Sequence, residues 1–246
     1  MKLRIDGFQT DETDQFAKSI IACRKCPRVI EHCLAVANKE IMRRTAFASE
    51  RYWGRPVPGF GTLPVKLLIV GLAPGAHGAN RTSRMFTGDD SGLWLYRALH
   101  KAGFAETSGC TDVGDNRLID CAITAVTHCA PPGNKPTPEE IRNCEPYLLS
   151  TIKAAKPEVI LALGAIAWEA TLRALEKNEG ISFGKGAARP AFKHGFHLTT
   201  KDSAGRSIEL IASYHVSRQN TNTGRLTVPM LDKIFAKARK LTERST

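Results

Sequence analysis

The sequence predicts an α/β protein, a parallel sheet with helices on both faces, and three observations carry that prediction. Four short runs rich in leucine and β-branched residues lack any polar alternation, as strands buried on both faces do. Helical patterns separate these runs, the signature of parallel strands joined by crossover helices. The composition, 42% hydrophobic and 24% charged, excludes disordered, collagen-like and low-complexity classes.

In chain order, the Gly/Pro-rich stretch Gly54–Gly61 is too apolar and too short for a flexible linker and is expected to be an ordered loop before strand one. Val65–Val70, closed by Gly71, is the first strand, and a long glycine-rich connection leads to a helix at about Leu93–Ala102. Glu106–Arg117 is polar and turn-rich, which predicts a surface loop. Leu118–Val126 is the second strand. The next helix, Pro138–Ala155, is announced by Thr137 as N-cap, Pro138 at its first position and Glu140 completing a capping box. Val159–Leu163 is the third strand, followed by a helix at about Ala165–Leu175; Ile208–Ser213 is the fourth, followed by a basic helix at about Val228–Leu241. In such sheets ligands bind outside the carboxyl ends of the strands. The loops after Val70, Val126 and Ala212 should therefore converge on a site.

The longest nearly apolar run, Val159–Trp168, is about half of the roughly 20 residues a membrane-spanning helix needs, so no membrane association is expected. Met1–Phe16 carries four acidic residues and no apolar core of a secretory signal, and a cytoplasmic location is expected. The chain has 35 Lys and Arg against 24 Asp and Glu, a net charge of +11. Lys185–Thr246 alone holds 12 basic residues and four acidic ones. A basic surplus of this kind is the electrostatic footprint of a phosphate-backbone binder.

Seven cysteines in a chain without export signals point to thiol or metal chemistry. Cys23 and Cys26 form a C-x2-C pair at a turn or helix start. Cys129 follows the second strand, and Cys144 shares the inward stripe of the Pro138–Ala155 helix with Ile141, Leu148 and Ile152. Four thiolates can thus converge, and the spacing suits structural zinc or an iron–sulfur cluster alike. Cys33, Cys110 and Cys121 have no paired spacing and are expected to be ordinary core residues.

The connection Gly71–Gly92 is neither a Walker loop nor a dinucleotide fingerprint, because no Gly-Lys-Ser/Thr follows and the glycine spacing fails G-x-G-x-x-G. Its glycines suit close approach to a flat base or a sugar phosphate. Four words now stand together: Gly71-Leu-Ala-Pro-Gly-Ala-His-Gly78, Phe86-Thr-Gly-Asp89, Cys129-Ala-Pro-Pro-Gly-Asn-Lys-Pro-Thr-Pro138 and Ser213-Tyr-His-Val-Ser-Arg-Gln-Asn-Thr-Asn-Thr-Gly-Arg225. In this order they resemble the family 5, UDGb-type, uracil-DNA glycosylases, over about Cys23–Lys240. The resemblance implies a single domain across residues 1–246, a three-layer αβα fold around a four-stranded parallel sheet, and a monomer. It also implies a [4Fe-4S] cluster on Cys23, Cys26, Cys129 and Cys144. The substrate would be duplex DNA, and single-stranded DNA as well, containing deaminated bases such as uracil and hypoxanthine.

By the same resemblance Gly71, Ala73, Gly75 and His77 line the base site and Phe86 stacks on a flipped base, while Asn134 offers amide hydrogen bonds to base or water. Asp89 is the catalytic carboxylate and His215 donates toward the base carbonyl, whereas the residues alone read Asp89 as a helix N-cap, with Asp90 and Ser91 as rivals. Arg218, Gln219, Asn220 and Arg225 form a loop entering DNA. Leu72 and Ala73 stand where other uracil-DNA glycosylase families place an acidic residue, so Asp89 must substitute for it. Ala125 stands where several relatives carry an asparagine that reads the uracil edge, which implies broader base choice. The competing reading is a catalytically silent iron–sulfur protein that binds DNA or senses lesions.

Overall fold

The computed structural model describes residues 11–42, 44–109 and 117–243. Two helices, α1 (Asp11–Ile21) and α2 (Pro27–Ala37), precede strand β1 (Leu67–Gly71). Then come α3 (Ala79–Thr82), α4 (Asp90–Lys101), β2 (Cys121–Ala125), α5 (Pro138–Ala155), β3 (Val159–Leu163) and α6 (Ala165–Glu179). The chain ends with β4 (His197–Lys201), β5 (Ser207–Ser213), α7 (Arg218–Asn222) and α8 (Val228–Thr242).

The strands run in the order β2-β1-β3-β5-β4. β1, β2, β3 and β5 are mutually parallel, with Leu67 in register with Cys121 and Val159. They are the four expected strands, and their alternate side chains serve opposite faces. Leu67, Ile69, Ile123, Leu161 and Ile211 pack toward α4 and α8. Leu68, Val70, Ala122, Ile160 and Leu210 pack toward α5 and α6. The result is the α/β class and the αβα layering that were expected.

The sheet has five strands, not four. The fifth, β4, lies antiparallel on β5 with His197 opposite Ile211, joined to it by a turn in which Gly205 adopts φ +80°. Its sequence, His-Leu-Thr-Thr-Lys, holds a single aliphatic residue because an edge strand buries only part of one face. No apolar run marks it.

Other boundaries follow local chemistry. β2 starts at Cys121 because Leu118 is drawn into a bridge with Ala105, and α6 continues to Glu179, where Gly180 adopts φ +65°. The loop before β1 is ordered as expected: Val57 N–H donates to His128 O (2.7 Å), and Phe60 exchanges backbone hydrogen bonds with Ile123. Residues 110–116 of the expected surface loop lie outside the described residues. Among the described residues no helix is long and apolar enough to cross a membrane.

Candidate active site and cysteine cavity

β1 ends at Gly71, and the position demands glycine: a Cβ there would lie 2.8 Å from Cε2 of Phe86. Phe86 takes a left-handed backbone, φ +56°, which folds its half-buried ring back over the strand end. The ring lies 5.7 Å from the imidazole of His215, tilted by 34°. His215 stands two residues beyond β5, its carbonyl accepting a hydrogen bond from Asn220 Nδ2 (2.8 Å). Burial pushes the His215 imidazole down to about 4, so at neutral pH it is an uncharged N–H donor. Ala125 pairs in register with Gly71. A methyl therefore sits beside this floor where a polar side chain could have reached in.

Asp89 is the N-cap of α4, its Oδ1 accepting from Gly92 N–H (3.0 Å). Asp90 and Ser91 do not take that position. The second oxygen, Oδ2, lies over the glycine loop, 2.8 Å and 2.3 Å from where Cβ atoms on Gly75 and Gly78 would stand. The carboxylate is therefore the N-cap that the residues alone predict, with one oxygen in the cap and the other facing the loop. Burial raises its pKa, against the pull of the Gly92 and Ser91 amides. Arg218, on α7, reaches Asp90 (3.6 Å) and so links the His215 loop to the start of α4.

His77 is occupied within the fold, Nδ1 sharing a hydrogen bond with Tyr52 Oη (2.8 Å). Burial, then the charges of Arg44 and Arg81, lower its pKa. Arg81 in turn donates to the carbonyls of His77 and Gly88, both at 2.9 Å, clamping the two ends of the loop. Ala73 is half-buried on the same loop. Asn134 is exposed in a short turn at φ +57°. Among the described residues its side chain makes no hydrogen bond to Asp89 or His215. Residues 218–225 are not all loop: Arg218, Gln219 and Asn220 lie on α7, with Arg218 and Gln219 exposed. Asn220 is turned inward onto His215, and Arg225 lies over the ring of Tyr214 (4.6 Å).

Cys26 is the N-cap of α2, and Cys23 sits just past α1. With Cys129 and the inward-facing Cys144 of α5 they line one cavity. Burial pushes the Cys144 thiol up to about 11, helped by Cys23 and Cys26. Cys129 is pushed up strongly by the Cys33 thiol beside it, by burial, and by the charges of Cys33, Cys144 and Cys23. Four cysteine sulfurs thus face one hollow. Among the described residues no three His, Cys, Asp or Glu side chains stand close enough to share a single ion. Four cysteine donors are chemically suited to an iron–sulfur cluster or to structural zinc. Asn143 Nδ2 donates to Cys26 Sγ (3.4 Å), the kind of supporting contact that holds a ligand in place.

Cys33 and Cys121 are fully buried, as expected of core residues, and Cys110 lies outside the described residues. Cys33 has company that spacing could not reveal: its sulfur accepts from Ala130 N–H (3.3 Å) and touches Cys129. His194 was also invisible in the sequence, belonging to no motif, yet it packs against the Tyr214–His215 segment.

The sequence profile of the uracil DNA glycosylase superfamily matches residues 58–239. The chain is 46% identical over 225 residues to the type-5 uracil-DNA glycosylase of Mycobacterium tuberculosis, covering 90% of this chain and 79% of that one. It is 44% identical over 232 residues to the type-5 enzyme of Thermus thermophilus, covering 94% and 98%. To that of Pyrobaculum aerophilum it is 40% identical over 226 residues, covering 92% and 91%. With a superfamily profile spanning the sheet and relatives matched along nine-tenths of its length, the chain belongs to the uracil DNA glycosylase superfamily and, within it, to the type-5 uracil-DNA glycosylases.

Proposed function

We propose that the protein flips deaminated bases out of DNA and hydrolyses their N-glycosidic bond, leaving an abasic site. The observation that carries this reading is the Phe86 ring against His215 at the carboxyl ends of β1 and β5, with Asp89 over the glycine loop that follows β1. A glycosylase must extrude the base from the stack and hold it. The Phe86 ring supplies a face for stacking, seated on Gly71. The methyl of Ala125 reads no base edge, so hypoxanthine and related lesions join uracil as substrates.

Bond cleavage leaves positive character on the sugar and negative charge on the base. His215 meets the second need as a neutral donor, delivering an N–H to the base oxygen on which charge collects, with no ionic change of its own. Asp89 meets the first. Its Oδ1 is immobilised by the helix start, leaving Oδ2 to face the sugar and to orient a water whose oxygen bonds to the anomeric carbon. The departing base leaves with the bonding electron pair. Burial makes this carboxylate more basic than an exposed one, which suits it to accept the water proton.

Cys23, Cys26, Cys129 and Cys144 would hold the [4Fe-4S] cluster, which when bound supplies a covalent tie between α2, the loop after β2, and α5. Glu140 supports that tie, because it closes the capping box of α5 and takes a bidentate contact from Arg28 of α2 at 2.8 Å and 2.7 Å. Arg218, Gln219 and Arg225 contact the DNA backbone, and Asn134 approaches the base or water only in the complex.

The test is a single-turnover assay on duplexes carrying one uracil or one hypoxanthine, with iron and acid-labile sulfide measured on the same preparation. Release of both bases by a brown, iron-containing protein is expected. DNA binding without base release would establish the silent lesion-binding reading instead, and stoichiometric zinc without iron would remove the cluster.

A further inference from the structure

The unexpected strand β4 points to a role at the site. Its ladder with β5 ends in a bulge: Gly195 N–H donates to Ala212 O (2.8 Å) and Ala212 N–H donates to Phe196 O (3.0 Å), so two residues face one. Gly195 adopts φ +79°, and Phe196 N–H closes a tight turn onto Lys193 O (3.0 Å). A glycine bulge of this kind ends strand pairing and re-aims a side chain. The side chain it aims is that of His194, at the corner of the turn.

His194 lands on the residue just before His215. The Tyr214 backbone N–H donates to His194 Nδ1 (3.1 Å), and the two rings stack with centroids 4.9 Å apart and planes within 15°. Arg225 covers the Tyr214 ring at 4.6 Å. Ser213 Oγ, at 3.5 Å from Nδ1, donates to Tyr214 O (3.1 Å). Beyond Ser213 the β5 backbone has no sheet neighbour, so the imidazole acceptor and the Asn220 amide hold the Tyr214–His215 segment.

We propose that His194 is a positioning residue for base excision: its Nδ1 takes the Tyr214 amide proton and thereby fixes the backbone from which His215 projects. Nδ1 must be bare to accept, so the ring carries its proton on Nε2. The inference rests on the glycosylase reading for its effect on rate, but the tautomer and the hydrogen bond stand apart from it.

Two substitutions separate the acceptor from the stacking surface. His194→Phe keeps a ring against Tyr214 and removes the acceptor; His194→Asn removes the ring and keeps an oxygen near the place of Nδ1. The expected result is a single-turnover uracil release about tenfold slower in H194F, with duplex affinity unchanged, and within about twofold of wild type in H194N, the loss that a small displacement of a catalytic group brings. Equal rates in all three proteins overturn the proposal, as does equal slowing in both variants, which would make His194 a packing residue. Imidazole nitrogen shifts of the wild-type protein provide a second test that survives poor folding of a variant. Protonated Nε2 with bare Nδ1 is expected, and an Nδ1–H tautomer overturns the proposal. A wild-type protein that releases no uracil but shows the expected tautomer would sink the glycosylase reading alone.

Discussion

At Gly71 one hydrogen atom decides whether the Phe86 ring, the stacking face proposed for the base, can fold over the strand end. A methyl there would meet the Phe86 ring at 2.8 Å, and Phe86, already in a left-handed backbone, has little freedom to withdraw. Gly71→Ala is therefore expected to slow single-turnover uracil release about tenfold or more and to cost about 1–3 kcal/mol in thermal stability, as overpacking does. Unchanged kinetics would show that the ring does not hold the base. The two titrating groups make a second prediction. His215 is neutral down to about 4, so the rate should stay level as pH falls through the ordinary histidine range near about 6.5. In the proposed mechanism Asp89 acts ionised, and its raised pKa places the acidic fall in rate above the ordinary carboxylate range. A rate that rises on acidification through the histidine range would mean that the imidazolium is the working form. The sequence words name Asp89 and His215 but conceal how Asp89 divides its oxygens, because capping and a second contact depend on where Gly75 and Gly78 come to lie.

Among the elements, α5 was the most legible, since Thr137, Pro138 and Glu140 mark its start and the stripe of Cys144, Leu148 and Ile152 marks its buried face. β4 was the least legible, as its polar residues are those of any surface loop, and its pairing comes from β5 rather than from itself. The contact between Cys33 and Cys129 was hidden for a similar reason: it joins α2 to a loop nearly a hundred residues away. Glu140 ties the same helix α2 to α5 through Arg28 and carries an element-scale prediction. Burial raises the pKa of its carboxyl, but the Arg28 and Thr137 hydrogen bonds outweigh that and hold it below the usual range. A depressed folded pKa stabilises above the unfolded pKa and is lost as pH falls through the folded one. Glu140→Gln leaves the cap in place, because a glutamine oxygen still accepts from Thr137 N–H, and should cost about 0.5–1 kcal/mol at neutral pH through the charge lost from the half-exposed Arg28 contact. The gap should narrow in acid, as urea unfolding at two pH values would show. An equal gap at both would remove the ionic part of the argument.

For the whole molecule, the net charge of +11 and the exposed Arg218 beside the start of α4 predict DNA affinity that falls steeply with salt. Each phosphate neutralised contributes about 0.9 to the slope of log affinity against log salt, so Arg218→Ala should reduce that slope by about 1 and weaken binding to all sequences alike. Arg225 is a different case, because it also covers Tyr214, and its removal should reach the chemistry as well as the binding. A separable chemistry is the central claim: binding energy comes from the basic surface and the stacked base, whereas Asp89 acts on the sugar as the bond breaks. The most direct measurement is single-turnover uracil release by Asp89→Asn, paired with a titration of the same duplex. The asparagine retains an oxygen for the Gly92 cap, so folding should survive. The account predicts a rate lower by about 10²-fold or more, with affinity nearly unchanged. A full single-turnover rate in Asp89→Asn would contradict it and leave Asp89 as the cap of α4 alone.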